Sequence, residues 1–244
     1  MSSYDMPYDM SLGVLGGEVT CLMTLCLGLF VTSPAEGGGG KSSACVDREF
    51  SYAGLQSNVK AGGVAATIAP TSAPSVSDGH VGGWIGVGST DAGPGGVAEW
   101  IQVGLAAFTS DQASRMYYEF TAAGEPHYVE LAASVTRGEH HRFFVLETAS
   151  RKSWWRVWVD GRPVSPPINL PGSHGASYPQ AIAENWNGGT GTCNDYAYSF
   201  SNVRLAQRSG GWEPLKSGYL FHDPGYRVVA TSRVPRSFVA TGLG

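Results

Sequence analysis

Charge is scarce in this chain. Asp, Glu, Lys and Arg make up 15% of its 244 residues, against roughly 25% in ordinary soluble domains. The formal net charge is −4 and no basic run occurs, which excludes the positive face that nucleic-acid binding demands. Long hydrophobic runs are also missing. The most apolar stretch, VTCLMTLCLGLFV at 19–31, covers 13 residues, short of the ~20 that span a bilayer. It has the length of a signal-peptide core, although the first basic residue is Lys41. A secreted, extracellular or cell-surface protein is therefore expected, with no membrane span in the mature chain.

Cysteine is sparse. Cys21 and Cys26 fall within the apolar stretch, leaving Cys45 and Cys193 in the body. These two could close one disulfide or remain free thiols. No CxxC pair and no Cys/His group has zinc spacing, so neither a metal nor another cofactor is expected. AEGGGGKS at 35–42 satisfies a relaxed phosphate-loop pattern with Ala35 in place of its first Gly. It has no strand before it and no helix after it, and a flexible Gly linker is the better reading. No GxSxG elbow and no HExxH pair occurs; His140-His141 reads as a solvated turn.

Helical periodicity is the last absence. No stretch sustains apolar residues at i, i+3, i+4 and i+7 over three turns. What the chain has instead is glycine, 34 residues, with 14 prolines punctuating short β-rich runs. YVELAASV at 128–135 alternates Val129, Leu131, Ala133 and Val135 onto one face. WWRVWVDGRPV at 154–164 is a hairpin signal, with Asp160-Gly161 supplying positive φ at the turn. The fold expected is all-β, two antiparallel sheets packed face to face. Residues 1–45 read as leader and Gly-rich linker, 46–206 as the β-sandwich domain, and 207–244 as a C-terminal extension.

Two segments carry candidate chemistry. In EWIQVGL, 99–105, alternation places Ile101, Val103 and Leu105 on a core face and Trp100, Gln102 and Gly104 on the other. In AIAENWN it groups Ile182, Glu184 and Trp186. Glu184 has no Lys or Arg within nine residues. A carboxylate can take a proton from an attacking water and return it to a leaving amine, and a neutral amide N–H can donate to a developing oxyanion. Trp84, Trp100, Tyr117, Glu119, Trp154 and Trp158 are further candidates for contacting a substrate. Alternation puts Trp155 in the core with Val157 and Val159.

Tyr52-Ala53-Gly54, the strand from Val64 to Pro70, Trp84 to Gly88, Ile101 to Gly104, Tyr118-Glu119-Phe120 and Ala183-Glu184-Asn185 occur in an order that resembles the glutamic peptidases of the eqolisin type. The resemblance covers residues 50–205. It implies a concanavalin A-like, jelly-roll sandwich in which one sheet lines a substrate groove. It further implies a catalytic pair of Gln102 and Glu184, working in acid on polypeptide. This chain departs from the family in carrying Gly88, Leu105 and Ala106 near positions of family acids, and Asn185 where a Trp follows the family Glu. A second expectation, from another class, is a lectin-like protein that binds a glycan or peptide without cleaving it. A monomer is expected in either case.

Overall fold

A computed structural model describes residues 49–109, 111, 113–192, 194–231 and 236–242, all within one unit, Lys41–Gly244. The apolar leader, Cys45 and Cys193 lie outside the described residues, and so does the expected disulfide. Among the described residues the only helical pieces are two 3₁₀ turns, Pro94–Gly96 and Pro171–Ser173. No helix among them is long and apolar enough to cross a membrane.

Among the described residues sixteen strands carry the fold. The first eight are β1 (Phe50–Ser57), β2 (Gly63–Pro70), β3 (His80–Ser89), β4 (Glu99–Phe108), β5 (Ser114–Ala122), β6 (Glu125–Val135), β7 (His141–Glu147) and β8 (Trp154–Val159). Then follow β9 (Arg162–Pro163), β10 (Ile168–Asn169), β11 (Gln180–Trp186), β12 (Ala197–Ala206), β13 (Trp212–Pro214), β14 (Gly218–His222), β15 (Tyr226–Ala230) and β16 (Phe238–Gly242). One sheet runs β14-β1-β11-β3-β4-β5-β6. The second runs β10-β8-β7-β2-β12-β16-β15, with β9 on β8 and β13 on β12. Every pairing is antiparallel, as alternating, turn-broken runs require.

The alternation read from the sequence sorts side chains correctly. Ile101, Val103 and Leu105 are fully buried between the sheets, facing Phe143, Val145, Trp155, Tyr198 and Phe200 of the second sheet. Val129, Leu131 and Val135 face the same core. Asp160 and Gly161 both hold positive φ, 49° and 79°, which matches the right-handed twist of the β8–β9 hairpin they join. The segment after Ala206 does not stand apart: β14 extends the first sheet beyond β1, while β13, β15 and β16 extend the second.

Glycine sets how closely the strands of the first sheet approach. A Cβ at Gly104 would strike the carbonyl oxygen of Gly83 on β3, and one at Gly54 would strike that of Ala181 on β11. Glycine inside a strand commonly marks such an approach. Gly104→Ala is expected to destabilise the protein by about 3 kcal/mol, because the clash is with backbone that cannot rotate away. Urea unfolding should show the loss as a lower midpoint at unchanged slope.

Candidate active site

The outward face of the first sheet, away from the core, is organised in rows running across strands. One row places Gln56 (β1), Gln180 (β11), Gly86 (β3), Gln102 (β4), Glu119 (β5) and Tyr128 (β6) opposite one another. The next holds Gly54, Ile182, Trp84, Gly104 and Tyr117, and the one after that Tyr52, Glu184, Gly82 and Ala106. Directly opposed residues share a face, so register alone brings Gln102, Glu119, Tyr117, Trp84 and Glu184 to one surface.

Gln102 Nε2 donates to Tyr117 Oη at 3.2 Å and to Glu119 Oε2 at 3.1 Å. Glu184 is held by two other groups: Trp84 Nε1 donates to its Oε2 at 3.0 Å, and His80 Nε2 lies 3.2 Å from its Oε1. No hydrogen bond joins Gln102 to Glu184. Their register partners on β3 are Gly86 and Gly82, an offset of ~13 Å along the strand. The Gln102 side chain closes part of that distance. Its partner Tyr117 places Oη 3.7 Å from where a Gly82 Cβ would be, beside the Trp84 indole at 3.8 Å. The bare backbone of Gly82 is thus a floor, with the Tyr117 hydroxyl on one side and the Glu184 strand on the other.

Burial, and then the nearby Glu184, push Glu119 up to about 7 despite His80 and the Gln102 bond. In acid it is therefore a neutral carboxylic acid. Burial, reinforced by Glu184 and Glu119, lifts the Tyr117 hydroxyl well above its ordinary range. It stays protonated, and since it accepts from Gln102, its own proton is free for another acceptor. Tyr52, opposite Glu184, is shifted upward by burial and by Glu184 in the same way, and its backbone N–H is fixed by Asp223 Oδ2 at 2.9 Å.

The remaining candidates divide. Trp100 stands one row beyond Gln102, opposite Gly88 and Thr121. Trp154 and Trp158 are not at this site. They belong to β8 in the second sheet and face away from the core that holds Trp155, under the guanidinium groups of Arg151 at 3.6 Å and Arg156 at 5.8 Å. Asn185 turns inward, fully buried, and accepts from Asn194 Nδ2 at 2.8 Å. His141, one of the adjacent pair, lies 2.7 Å from Asp160 at the β8–β9 turn. Among the described residues no group of three His, Cys, Asp or Glu is placed to hold a metal.

His80 is the neighbour of Glu184 that motif reading misses. Stepping back by twos from Trp84 through Gly82 reaches it, so alternation carried the signal. Around it the rings of Trp186 (5.5 Å) and Phe108 (5.6 Å) wall the Glu184 end.

No protein-family model matches the sequence, and no curated protein does. Among solved structures, the chain is similar to Scytalido-glutamic peptidase bound to a peptide-based transition state analog, with TM-score 0.54 and 16% identity. The match covers 81% of this chain and 99% of that one. The same peptidase with a transition state analog inhibitor gives 0.54 at 14% identity over the same shares. SCP-B, a member of the Eqolisin family of peptidases in complex with the tripeptide Ala-Ile-His, gives 0.48 at 15%, again over 81% and 99%. The likeness is one of fold, a jelly-roll-like sandwich of two antiparallel sheets.

A carboxyl that holds its proton more tightly folded than unfolded stabilises the fold in acid. For Glu119 that contribution is lost as pH rises from its ordinary 4.5 to about 7, a decline of up to ~3 kcal/mol. Glu119→Gln should remove this part of the pH dependence, read as urea unfolding free energies of the two proteins across that interval.

Proposed function

We propose that the outward face of the first sheet is the active surface of a secreted acid endopeptidase, in which Glu184 and Gln102 divide the chemistry. The observation that carries this reading is the floor at Gly82, where a carboxylate positioned by two donors faces an amide and a neutral hydroxyl across open backbone. Glu184 takes the proton of a water attacking the scissile carbonyl and returns it to the departing amine. Tyr117 donates to the oxyanion through the proton that no neighbour uses, and Gln102 joins it once the N–H it gives Tyr117 turns to the substrate. Protonated Glu119 orients the Gln102 amide without adding a charge. The fold likeness to Scytalido-glutamic peptidase and the family resemblance over residues 50–205 support the assignment. Low charge and the leader-like 19–31 segment support secretion.

A second reading has its own support. Both Nε2 protons of Gln102 are engaged, and aromatic rings line the face, including the stacked pair Tyr117 and Tyr128 at 5.1 Å. A groove that binds a peptide or glycan without cleaving it would present the same features.

Incubation with denatured casein through the acid range separates the two. The peptidase reading expects cleavage that Glu184→Gln abolishes and that Gln102→Ala or Tyr117→Phe lowers in kcat by ~10²–10³-fold. Saturable binding with no cleavage by the folded protein at any pH selects the binding reading.

A further inference from the structure

Trp154 and Trp158, absent from the first sheet, belong to a cluster on the outward face of the second. There each of three guanidiniums lies against a ring. Arg142 is 4.7 Å from the centre of Phe144, Arg151 3.6 Å from Trp154 and Arg156 5.8 Å from Trp158. Such contacts occur roughly once per 70–80 residues, so three within residues 142–158 are a built feature. Register joins them: Trp158 on β8 opposes Phe144 on β7, and Arg156 opposes Leu146. Phe144 meets Trp212 edge to face at 5.7 Å, and Arg204 Nη2 fixes Trp212 by donating to its carbonyl oxygen at 3.0 Å.

These three cations are unanswered. Among the described residues Arg142, Arg151 and Arg156 form no ion pair, whereas Arg115 on the first sheet takes both Asp111 and Glu130. Arg156 uses its Nε on Ser165 O at 2.9 Å, which leaves its terminal N–H groups. The nearest acids have other partners. Asp160 accepts the backbone N–H of Arg142 at 2.8 Å and lies 2.7 Å from His141, which also meets Glu139 at 3.2 Å. Glu147 accepts the Ser153 N–H at 2.7 Å and stands against Gly175, and Glu213 pairs with Lys216 at 3.0 Å. The margin adds two further cations, Lys152 beside Gly175 and Arg162, which attracts Asp160.

We propose that this face binds an acidic polysaccharide of the polyuronate class, its carboxylates on the three guanidiniums and its sugar rings against Trp158, Phe144 and Trp212. A planar carboxylate matches the guanidinium fork, and the ring beneath holds that fork in place. Trp154 and Trp158 are ~13 Å apart along their strand, so a ligand must carry several anions to reach more than one cation. β7 lies between β2 and β8, and β8 between β7 and the short strands β9 and β10. No free strand edge there offers main-chain bonds to a peptide. None of the rings is among the large apolar side chains that stand exposed, as insertion into a membrane requires. The bases of nucleic acid need open ring faces, whereas here Arg142 and Arg151 are exposed and Phe144 and Trp154 beneath them are half-buried. The face would bind such a chain whether or not the first sheet cleaves peptides.

Calorimetric titration of the full chain with hexagalacturonate at low salt tests this. Saturable binding with Kd below ~1 mM is expected. Arg142→Gln and Arg156→Gln should each weaken it ~3-fold or more, and the triple variant that adds Arg151→Gln should abolish it. The same hexamer with methyl-esterified carboxylates keeps the sugar rings and should bind at least ~10-fold more weakly. Binding indifferent to the triple variant would place the ligand elsewhere, the first sheet included, and overturn the proposal. Equal or tighter binding of a thymidine dodecanucleotide or of phosphatidylserine vesicles would overturn it too, as would no saturable binding up to ~10 mM. Should the triple variant fail to fold, the single variants and the esterified hexamer decide the matter.

Discussion

What the first sheet depends on is the absence of side chains at a few positions of its outward face. At Gly54 and Gly104 the carbonyl of the adjacent strand occupies the space a Cβ would need, and at Gly86 a Cβ would approach Ile101 O to 2.8 Å. Strands so close leave backbone, not side chain, as the surface between Trp84, Gln102 and Glu184. The polar side chains therefore rise around a bare floor. On the core face of the same strands the logic reverses: Ile85, Ile101, Val103 and Leu105 are fully buried, and burial of that apolar area drives the sandwich together.

The polar groups of the outward face are arranged so that no two like charges must coexist at close range. Glu184 has the Trp84 indole and His80; Glu119 has an amide and a raised affinity for its proton. Because Glu119 keeps its proton in acid, the surface the two carboxyls share need not carry both as charges.

Much of this was legible in the sequence. Period-two alternation assigned Ile101, Val103, Leu105 and Trp155 to the core, and Asp160-Gly161 announced its hairpin. Gln102 and Glu184 could be placed on strand faces for the same reason. What alternation cannot supply is register and sheet membership. That Glu119 opposes Gln102, and that Tyr117 reaches over Gly82, follows from how β4 and β5 align. Trp154 and Trp158 have the right face and the wrong sheet, since nothing local in β8 says which neighbours it will pair with. The strands after Ala206 were hidden for the same reason, their partners lying far back in the chain.

That last pairing governs the order of assembly. β1 lies between β11 and β14, and the Tyr52 N–H that Asp223 holds is 171 residues away from it in sequence. Pairings over such separations close late, because the entropy of a long loop is lost before any contact compensates for it. During synthesis the strand bearing Tyr52 waits for Asp223 to emerge. The wall beside Glu184 is therefore completed only when β14 docks, so a chain cut before it would lack part of the surface on which Glu184 and Tyr52 meet.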